Sequence, residues 1–281
     1  MEAVSAVKMR KAQQRALSGR VYARAASGIL ARVSGARELK NHLLTEARPI
    51  KHALYIVITS DKGLAGALNS AVLRAALTDI ERLEISKDAV SVVTIGRKAA
   101  DFFANRGYTV ERSTHNTDSV TSDFIRELVE TSVARFSNNE TDVVKIAYQN
   151  FYSTFEQRPT LRTIFPLSLT ELEGVVKDIV PKKGVFADLR EVERPAGYSI
   201  EPSEEEVLAA ILPRLAAIFV YHALLESQAS EHSARMVAMK SASDKALELT
   251  HALTISFNKA RQAAITREVS EITGGMEAMA T

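Results

Sequence analysis

The chain has 281 residues, of which 46% are hydrophobic and 25% charged, and its formal net charge is +2. This composition suits a soluble protein of one or two domains with enough apolar side chains for a core, and we expect neither a signal peptide nor a transmembrane helix. The absence of cysteine excludes disulfides, thiolate metal ligands and cysteine nucleophiles.

Positive charge is concentrated at the start of the chain. Residues 1–40 carry nine basic and two acidic side chains, a balance of +7, whereas the rest of the chain carries 27 basic and 32 acidic side chains, a balance of −5. A basic helical segment is typical of proteins that bind nucleic acid, an anionic membrane surface or an acidic protein. By composition alone, a solvated basic face of an ordinary helix is an equally good interpretation.

The first segment is predicted to be helical because residues 1–44 are rich in Ala, Lys, Arg, Gln and Leu, which are good helix formers. Arg48-Pro49 then ends the helix, since a residue that precedes proline disfavours the helical conformation. We therefore assign residues 1–48 to an N-terminal coiled-coil helix.

The second segment, residues 49–203, is predicted to form a central α/β domain. Continuous apolar runs at Ala53–Thr59 and Ala89–Ile95 predict strands covered on both faces. Further strands are predicted at Tyr108–Glu111, which is short, at Val143–Tyr148, and at Thr160–Phe165, which is expected to lie at an edge of the sheet. Helices are predicted between them at Ala67–Leu83, Arg97–Arg106 and Ser122–Phe136, the last with Ser122 as its cap. This alternation indicates a mostly parallel sheet with crossover helices. Residues 170–202 are expected to form a long excursion.

The third segment, residues 204–281, is predicted to be a long C-terminal coiled-coil helix. The sixty residues from Arg214 to Thr273 contain no Gly or Pro, and such a run corresponds to roughly 90 Å of helix. Pro213 is expected to interrupt an earlier helical start at Glu204–Leu212, or to lie in the first turn of the main helix. Alternating steps of three and four residues give a heptad-like seam: Leu208, Ile211, Leu215, Ile218, His222, Leu225, Ala229, His232, Met236, Met239, Ser243, Ala246, Thr250, Leu253, Phe257, Ala260 and Ala264.

We expect no catalytic residue, metal or cofactor in this chain. Ser60–Asn69 follows a strand and opens a helix, where phosphate-binding loops occur, but it has neither the G-x-G-x-x-G nor the P-loop pattern. A simple strand-to-helix turn is therefore the favoured interpretation. The six histidines lack metal-ligand spacing, and no G-x-S-x-G elbow is present.

Several segments resemble the gamma subunit of the rotary, proton-translocating ATP synthase of bacteria. Ile58–Asn69 (ITSDKGLAGALN) matches the family pattern, as do Ser230–Lys240 (SEHSARMVAMK) and Asn258–Glu268 (NKARQAAITRE). The opening Met1–Gln13 is similar to the N-terminal helix of that family.

The resemblance implies a long antiparallel coiled coil of the N- and C-terminal helices and a central Rossmann-like domain with a mostly parallel sheet. It implies a non-catalytic rotor of the central stalk, which couples ion flow through the membrane c-ring to ATP synthesis or hydrolysis at beta-subunit sites. The expected partners are the alpha and beta subunits of the catalytic hexamer, the epsilon subunit and the c-ring. The expected location is the cytoplasmic face of the bacterial inner membrane, as a peripheral protein held there through the complex.

The resemblance also implies contacts with a beta subunit. Arg261 and Gln262 are expected to hydrogen-bond to one of its loops, and arginine suits such a contact because its guanidinium presents a fixed fork of N–H donors. Further contacts, with acidic groups facing the basic ones, are expected at Met1, Lys8, Arg10, Lys11 and Arg15. The family carries about twenty residues before the position of Met1, roughly 30 Å of helix, so we expect the native chain to begin upstream.

Two other functions are alternatives to the rotor. A nucleotide-dependent enzyme would use the Ser60–Asn69 turn and would bind nucleotide as an isolated chain. A coiled-coil protein that binds nucleic acid through its basic segment would show binding that falls steeply with salt. Neither alternative requires the family motif at Ala260–Glu268, so the presence of this segment favours the rotor over both.

Overall fold

The computed structural model describes residues 3–15, 42–117, 120–167 and 203–280. The chain divides into two compact units, Met1–Met236 and Val237–Thr281. Met1 and the predicted excursion at 170–202 lie outside the described residues, and the domain boundaries at 48 and 203 stay a prediction.

The first unit alternates strands and helices, as predicted. In chain order its elements are α1 (residues 3–15), β1 (Ala53–Ile58), α2 (Leu68–Arg82), β2 (Val90–Ile95), α3 (Arg97–Ala104), β3 (Thr109–Thr114), α4 (Ser122–Ser137), β4 (Val143–Phe151), β5 (Gln157–Phe165) and the start of α5 (Glu204–Ala280).

The five strands form one sheet in the order β3-β2-β1-β4-β5. The strands β3, β2, β1 and β4 are parallel, and β5 pairs antiparallel with β4 through a hairpin. The chain therefore runs outward from β1 through β2 to β3 and then crosses to β4 on the other side of β1. The order β3-β2-β1-β4 of the parallel strands is that of a Rossmann-like sheet, so the mostly parallel sheet is confirmed.

The core lies on both faces of β1, and all six residues of this strand are buried. Tyr55 and Val57 belong to the cluster that packs against α2 and α3, whereas Ile56 and Ile58 belong to the cluster that includes α4 and α5. Because both faces are covered, the strand is a continuous apolar run without alternation. The same burial places the first half of α5 within the fold.

Helix α5 runs from Glu204 to Ala280 with Pro213 inside it, so the expected interruption at Pro213 is wrong. A proline inside a helix lacks an N–H donor and costs about 3 kcal/mol. Leu208, Leu212 and Leu215 flank it and are each at most 2% exposed. Burying a leucine side chain contributes about 1.5–3 kcal/mol, so the packing of these three side chains outweighs the break in the helical hydrogen bonds.

An 18-residue window of α5 reaches a mean hydropathy of 1.9, and among the described residues α5 is the one helix long and apolar enough to span a membrane. Half of that window is buried inside the fold. The window is therefore typical of the core helix of a soluble domain as much as of a membrane span.

Helix α1 packs antiparallel to α5 over the residues that the structure describes. Ala12 contacts the buried side chains of Leu225 and Ala229. Val4, eight residues earlier, borders the same cavity as Arg235, further along α5. Lower numbers on α1 thus meet higher numbers on α5, which is the antiparallel arrangement that the resemblance implies.

The second unit is helical along its described residues. Every described side chain from residue 240 to residue 276 is exposed. The seam residues predicted in this part are therefore uncovered in the single chain. Its exposed large apolar side chains are Leu247, Leu249, Leu253, Ile255, Phe257, Ile265, Val269, Ile272, Met276 and Met279.

Candidate functional site

The carboxyl ends of β1, β2 and β3 meet at one edge of the sheet, where parallel α/β folds place their functional loops. Residues 59–69 follow β1, Gly96 follows β2, and residues 115–117 follow β3. Residues 228–235 of α5 contact the same edge through hydrogen bonds to these loops. We call this region the junction.

Asp61 holds the strand ends of the junction together. Its Oδ1 accepts hydrogen bonds from the backbone N–H of Arg97 at 3.0 Å and of Asn116 at 3.2 Å, and it lies 3.3 Å from Nδ1 of His115. One carboxylate thereby connects the end of β1, the first turn of α3 and the end of β3.

Gly96 allows β2 to approach β1 closely at this edge. Its φ is 111°, and a Cβ at this position would lie 2.1 Å from the carbonyl oxygen of Thr59. Next to it, Oγ1 of Thr59 accepts a hydrogen bond from the backbone N–H of Ala99 at 2.9 Å. No residue with a side chain fits at position 96 without displacing the end of β1.

The Ser60–Asn69 loop is closed by its own side chains. The backbone N–H of Ser60 donates to Oδ1 of Asn69 at 3.0 Å, and Nδ2 of Asn69 donates to Oγ of Ser60 at 2.7 Å. Leu64 has a φ of 63° and Gly66 a φ of 59°, and Leu64 is 64% exposed. These hydrogen bonds and dihedral angles are those of a strand-to-helix turn, which explains the Gly-rich pattern of the loop.

Arg235 attaches α5 to this loop. Its guanidinium donates to the carbonyl oxygens of Lys62 and Gly63 at 3.4 Å, and its Nη1 donates to Oε1 of Glu231 at 2.8 Å. Because these carbonyls are directed at a cation, the loop backbone is oriented towards α5. Two of the segments that carry the resemblance, Ile58–Asn69 and Ser230–Lys240, are thus in contact.

Glu231 is 8% exposed, and burial raises the pKa of its carboxyl group above the ordinary value. The cations of Arg235 and Lys8 lower the same pKa, and the negative charge of Asp61 adds a smaller upward contribution. The net direction is upward because desolvation of a buried carboxylate outweighs its ion pair.

Two further side chains connect α5 to the sheet. Nε2 of Gln228 donates to Oδ1 of Asn116 at 3.0 Å, and Nδ2 of Asn116 donates to the carbonyl of Thr59 at 2.8 Å. Oγ of Ser230 donates to the carbonyl of Gln149 on β4 at 3.3 Å. Helix α5 is therefore held at the ends of β1, β3 and β4 by hydrogen bonds from Arg235, Gln228 and Ser230.

A cavity of about 560 Å³ lies between α1, the Ser60–Asn69 loop and α5. Its charged lining is mixed in sign: Lys8, Asp61, Lys62, Glu231 and Arg235. Both carboxylates of this lining already bond to partners in the junction. The geometry is that of a mechanical attachment between a helix and a sheet.

The structure places the predicted beta-subunit contacts in both units. Lys8, Arg10 and Lys11 are exposed on α1, and Arg15 is half-buried there. Arg261 and Gln262 are exposed neighbours on α5 in the second unit. Met1 lies outside the described residues.

Sequence reasoning missed the junction residues Asp61, Asn116, Gln228, Glu231 and Arg235 as a group. Their roles depend on contacts between positions far apart in the chain, such as 61 with 116 or 62 with 235. The sequence offered one signal. The segments Ile58–Asn69 and Ser230–Lys240 match the family pattern although neither carries a catalytic or ligand-binding motif, and each supplies one side of the junction.

Comparison with known proteins gives a consistent result. A family model described as ATP synthase matches residues 1–279. The ATP synthase gamma chain of Brevibacillus brevis (strain 47) is 37% identical over 281 residues, which is all of this chain and 92% of that protein.

Solved structures share the fold. The chain resembles one in the central stalk and c-ring of the Tetrahymena thermophila mitochondrial ATP synthase, with a TM-score of 0.63, 22% identity and coverage of 86% of this chain and 97% of that chain. It also resembles a chain of the Euglena gracilis mitochondrial ATP synthase, with a TM-score of 0.60, 19% identity and coverage of 96% and 94%.

Proposed function

Because the chain belongs to the family of ATP synthase gamma chains, we propose that it couples ion flow through a membrane c-ring to ATP synthesis or hydrolysis at beta-subunit sites. The chain is a rotor subunit of the central stalk, in an enzyme complex associated with a membrane. The coupling to a c-ring and to beta subunits is the part of this function that we propose here.

The observation that carries the proposal is the junction. A rotor must pass torque between a globular domain and a helix, and a single hydrophobic contact would allow the helix to slip. Arg235 bonds to the loop after β1, Gln228 to the segment after β3, and Ser230 to β4. Three attachments at three strand ends resist both rotation and sliding of α5 against the sheet.

We infer that the chain contributes no catalytic residue. In the junction, the carboxylate of Asp61 accepts backbone N–H groups and that of Glu231 pairs with an arginine. Both groups are therefore occupied in holding the fold. Catalysis would belong to the other subunits of the complex.

We propose the alpha and beta subunits, the epsilon subunit and the c-ring as partners, and the cytoplasmic face of a bacterial inner membrane as the location. The exposed apolar side chains of the second unit support burial against other subunits, since exposed apolar patches mark interaction surfaces. The bacterial source of the 37% identical relative supports the location.

We further propose that this chain contacts a beta subunit through residues of both units. Most of these side chains are exposed, and the described part of α1 contains four basic residues and no acidic residue, a composition that favours acidic partners. The proposed contacts are Met1, Lys8, Arg10, Lys11, Arg15, Arg261 and Gln262.

Co-expression with alpha and beta subunits tests the proposal. We expect this chain to co-purify with them and to be required for their ATPase turnover. Calorimetry of the isolated chain with ATP tests the alternative that the chain is a nucleotide-dependent enzyme, because only that alternative predicts a measurable heat of nucleotide binding. Failure to co-purify, or nucleotide binding by the isolated chain, would overturn the assignment.

A further inference from the structure

The turn that precedes β1 is fixed by a histidine. Leu43–Thr45 forms a single 3₁₀ turn, and Nδ1 of His42 accepts a hydrogen bond from the backbone N–H of Leu44 at 3.2 Å. The carbonyl oxygen of His42 accepts two more, from the backbone N–H and from Oγ1 of Thr45, at 2.9 and 2.8 Å. One histidine thus closes the turn with its ring and with its backbone.

This turn attaches the chain before β1 to the core of the first unit. The side chain of Leu44 is 3% exposed and belongs to the core cluster that includes residues of β4, β5, α4 and α5. The carbonyl oxygen of Leu44 accepts a hydrogen bond from the backbone N–H of Leu167, which follows β5, at 2.7 Å. Both contacts depend on the backbone orientation that the ring of His42 stabilises.

The hydrogen bond to the ring requires that His42 is neutral. A backbone N–H is always a donor, so Nδ1 must present its lone pair and the neutral ring must carry its proton on Nε2. In the protonated ring both nitrogens are donors, and an Nδ1–H group would then face the N–H of Leu44. Protonation of His42 therefore breaks this hydrogen bond.

The carboxylate of Glu205 offers the protonated ring a second partner. Burial lowers the pKa of His42 below its ordinary value of 6.5, and the negative charge of Glu205 raises that pKa by a smaller amount. Glu205 lies in the first turn of α5 and is exposed. The turn at Leu43–Thr45 also packs against α4, but among the described residues Glu205 is the one charged group whose field acts on the ring.

We propose that His42 is a pH switch between two partners: the neutral ring accepts the N–H of Leu44, and the protonated ring turns to the carboxylate of Glu205. At neutral pH the chain before β1 is therefore attached to the core through Leu44. In acid the same chain is attached to the first turn of α5, and the turn that holds Leu44 is loosened. The inference does not depend on the proposed function.

Nuclear magnetic resonance of the full chain, labelled in its leucine amides and histidine rings, tests the first position of the switch. We expect the ring of His42 to titrate with a midpoint below 6.5, and the amide signal of Leu44 to shift with the same midpoint. His42→Asn identifies the ring signal by its loss and should keep the Leu44 amide constant, because an asparagine oxygen accepts at every pH. A Leu44 amide that does not follow the ring, or that shifts equally in the variant, overturns the proposal.

A pair of charge-removing variants tests the second position. Glu205→Gln should move the titration midpoint of the His42 ring to lower pH, because it removes the negative charge that favours the protonated ring. Glu206→Gln removes the same charge from the next exposed residue and should leave the midpoint in place. Equal shifts in the two variants, or no shift in Glu205→Gln, rule out Glu205 as the second partner.

The switch also gives the stability of the chain a pH dependence. Because the pKa of His42 is lowered in the folded chain, the stability from its neutral ring is full above the ordinary pKa and is lost as pH falls through the lowered pKa. We expect the urea midpoint of His42→Asn to rise relative to that of the natural chain as the pH falls from about 7 to about 5. His251→Asn, at an exposed position of the second unit, should show no such trend. A constant or opposite difference overturns the switch, and none of these measurements requires another subunit.

Discussion

Gly96 occupies the turn from β2 into α3 with a φ of 111°, a conformation that residues with a side chain rarely adopt. Its Cα faces the carbonyl of Thr59, so the position is restricted by space as well as by backbone conformation. The close approach of β2 to β1 at the junction depends on this missing side chain.

We predict that Gly96→Ala destabilises the first unit by about 3 kcal/mol or more, because it combines left-handed strain of about 1–2 kcal/mol with a steric clash. Gly107→Ala is the matched control: its φ is 77°, but a Cβ there would meet nothing within 4 Å. Urea denaturation of both variants measures the difference. Equal losses of unfolding free energy would show that the clash is relieved without cost.

Glu231 gives the junction a pH dependence of known sign. Burial raises its pKa in the folded chain above the ordinary value of 4.5. The unfolded chain therefore releases the proton at lower pH than the folded chain. Stability from this group is full below the ordinary pKa and is lost as pH rises through the raised pKa.

We predict that the Glu231→Gln variant becomes more stable relative to the natural chain as the pH rises from about 4 to about 7. The natural chain loses free energy of unfolding as the Glu231 carboxyl group deprotonates, whereas glutamine cannot ionise. Urea denaturation at several pH values measures the trend. Glu130→Gln, which removes the same charge from a side chain that is 65% exposed, provides the control. A difference that stays constant with pH, or moves the other way, would contradict the upward shift.

At the scale of elements, the contact between α1 and α5 depends on small side chains. Ala12 is 8% exposed and contacts Leu225 and Ala229, whose side chains are 6% and 0% exposed. Small residues allow the two helices to lie close together, and they leave no room for a longer side chain. The basic residues of α1 depend on this contact for their placement.

We predict that Ala12→Leu destabilises the contact by about 1–3 kcal/mol, because extra methyl groups in a close-packed site force the helices apart. Amide hydrogen exchange in α1 should accelerate accordingly. Val7→Leu on the same helix is the control, since Val7 is 70% exposed and such surface changes are usually within about 0.5 kcal/mol. Unchanged exchange in the Ala12 variant would refute close packing.

The strands were predictable because their signal is local. β1 and β2 are apolar runs, and a run of this kind needs no information about its neighbours. Their ends were less predictable, since pairing decides them: β4 extends to Phe151 because Phe151 pairs with Gln157 of β5. Thr121, not the predicted Ser122, caps α4, because its Oγ1 accepts from the N–H of Phe124.

The junction lay beyond prediction for a physical reason. Several of its hydrogen bonds join residues more than fifty positions apart, such as Asp61 with Asn116 and Lys62 with Arg235. No periodicity in the chain relates such positions, so only the fold brings them together. For the same reason, the heptad pattern of α5 predicted a seam without indicating that the sheet, rather than a second helix alone, covers its first half.

At the scale of the whole molecule, the two units differ in what stabilises them. The first unit has a buried core on both faces of its sheet. The second unit exposes ten large apolar side chains and buries none of its described residues beyond position 240. A single helix of this kind is marginal alone, so its function requires surrounding protein.

Arg261 and Gln262 lie in this exposed helix and provide its most specific proposed contact. We predict that changing both to Ala lowers the ATPase turnover of the reconstituted complex by about tenfold or more, because a hydrogen bond to a charged group contributes about 1.5–3 kcal/mol. Lys259→Ala, which removes one exposed charge two residues earlier, should leave turnover nearly unchanged. The contact with a beta-subunit loop is wrong if the double variant assembles and turns over normally. It is also wrong if Lys259→Ala is equally damaging, because the loss would then follow from charge alone and not from the guanidinium and amide groups at these two positions.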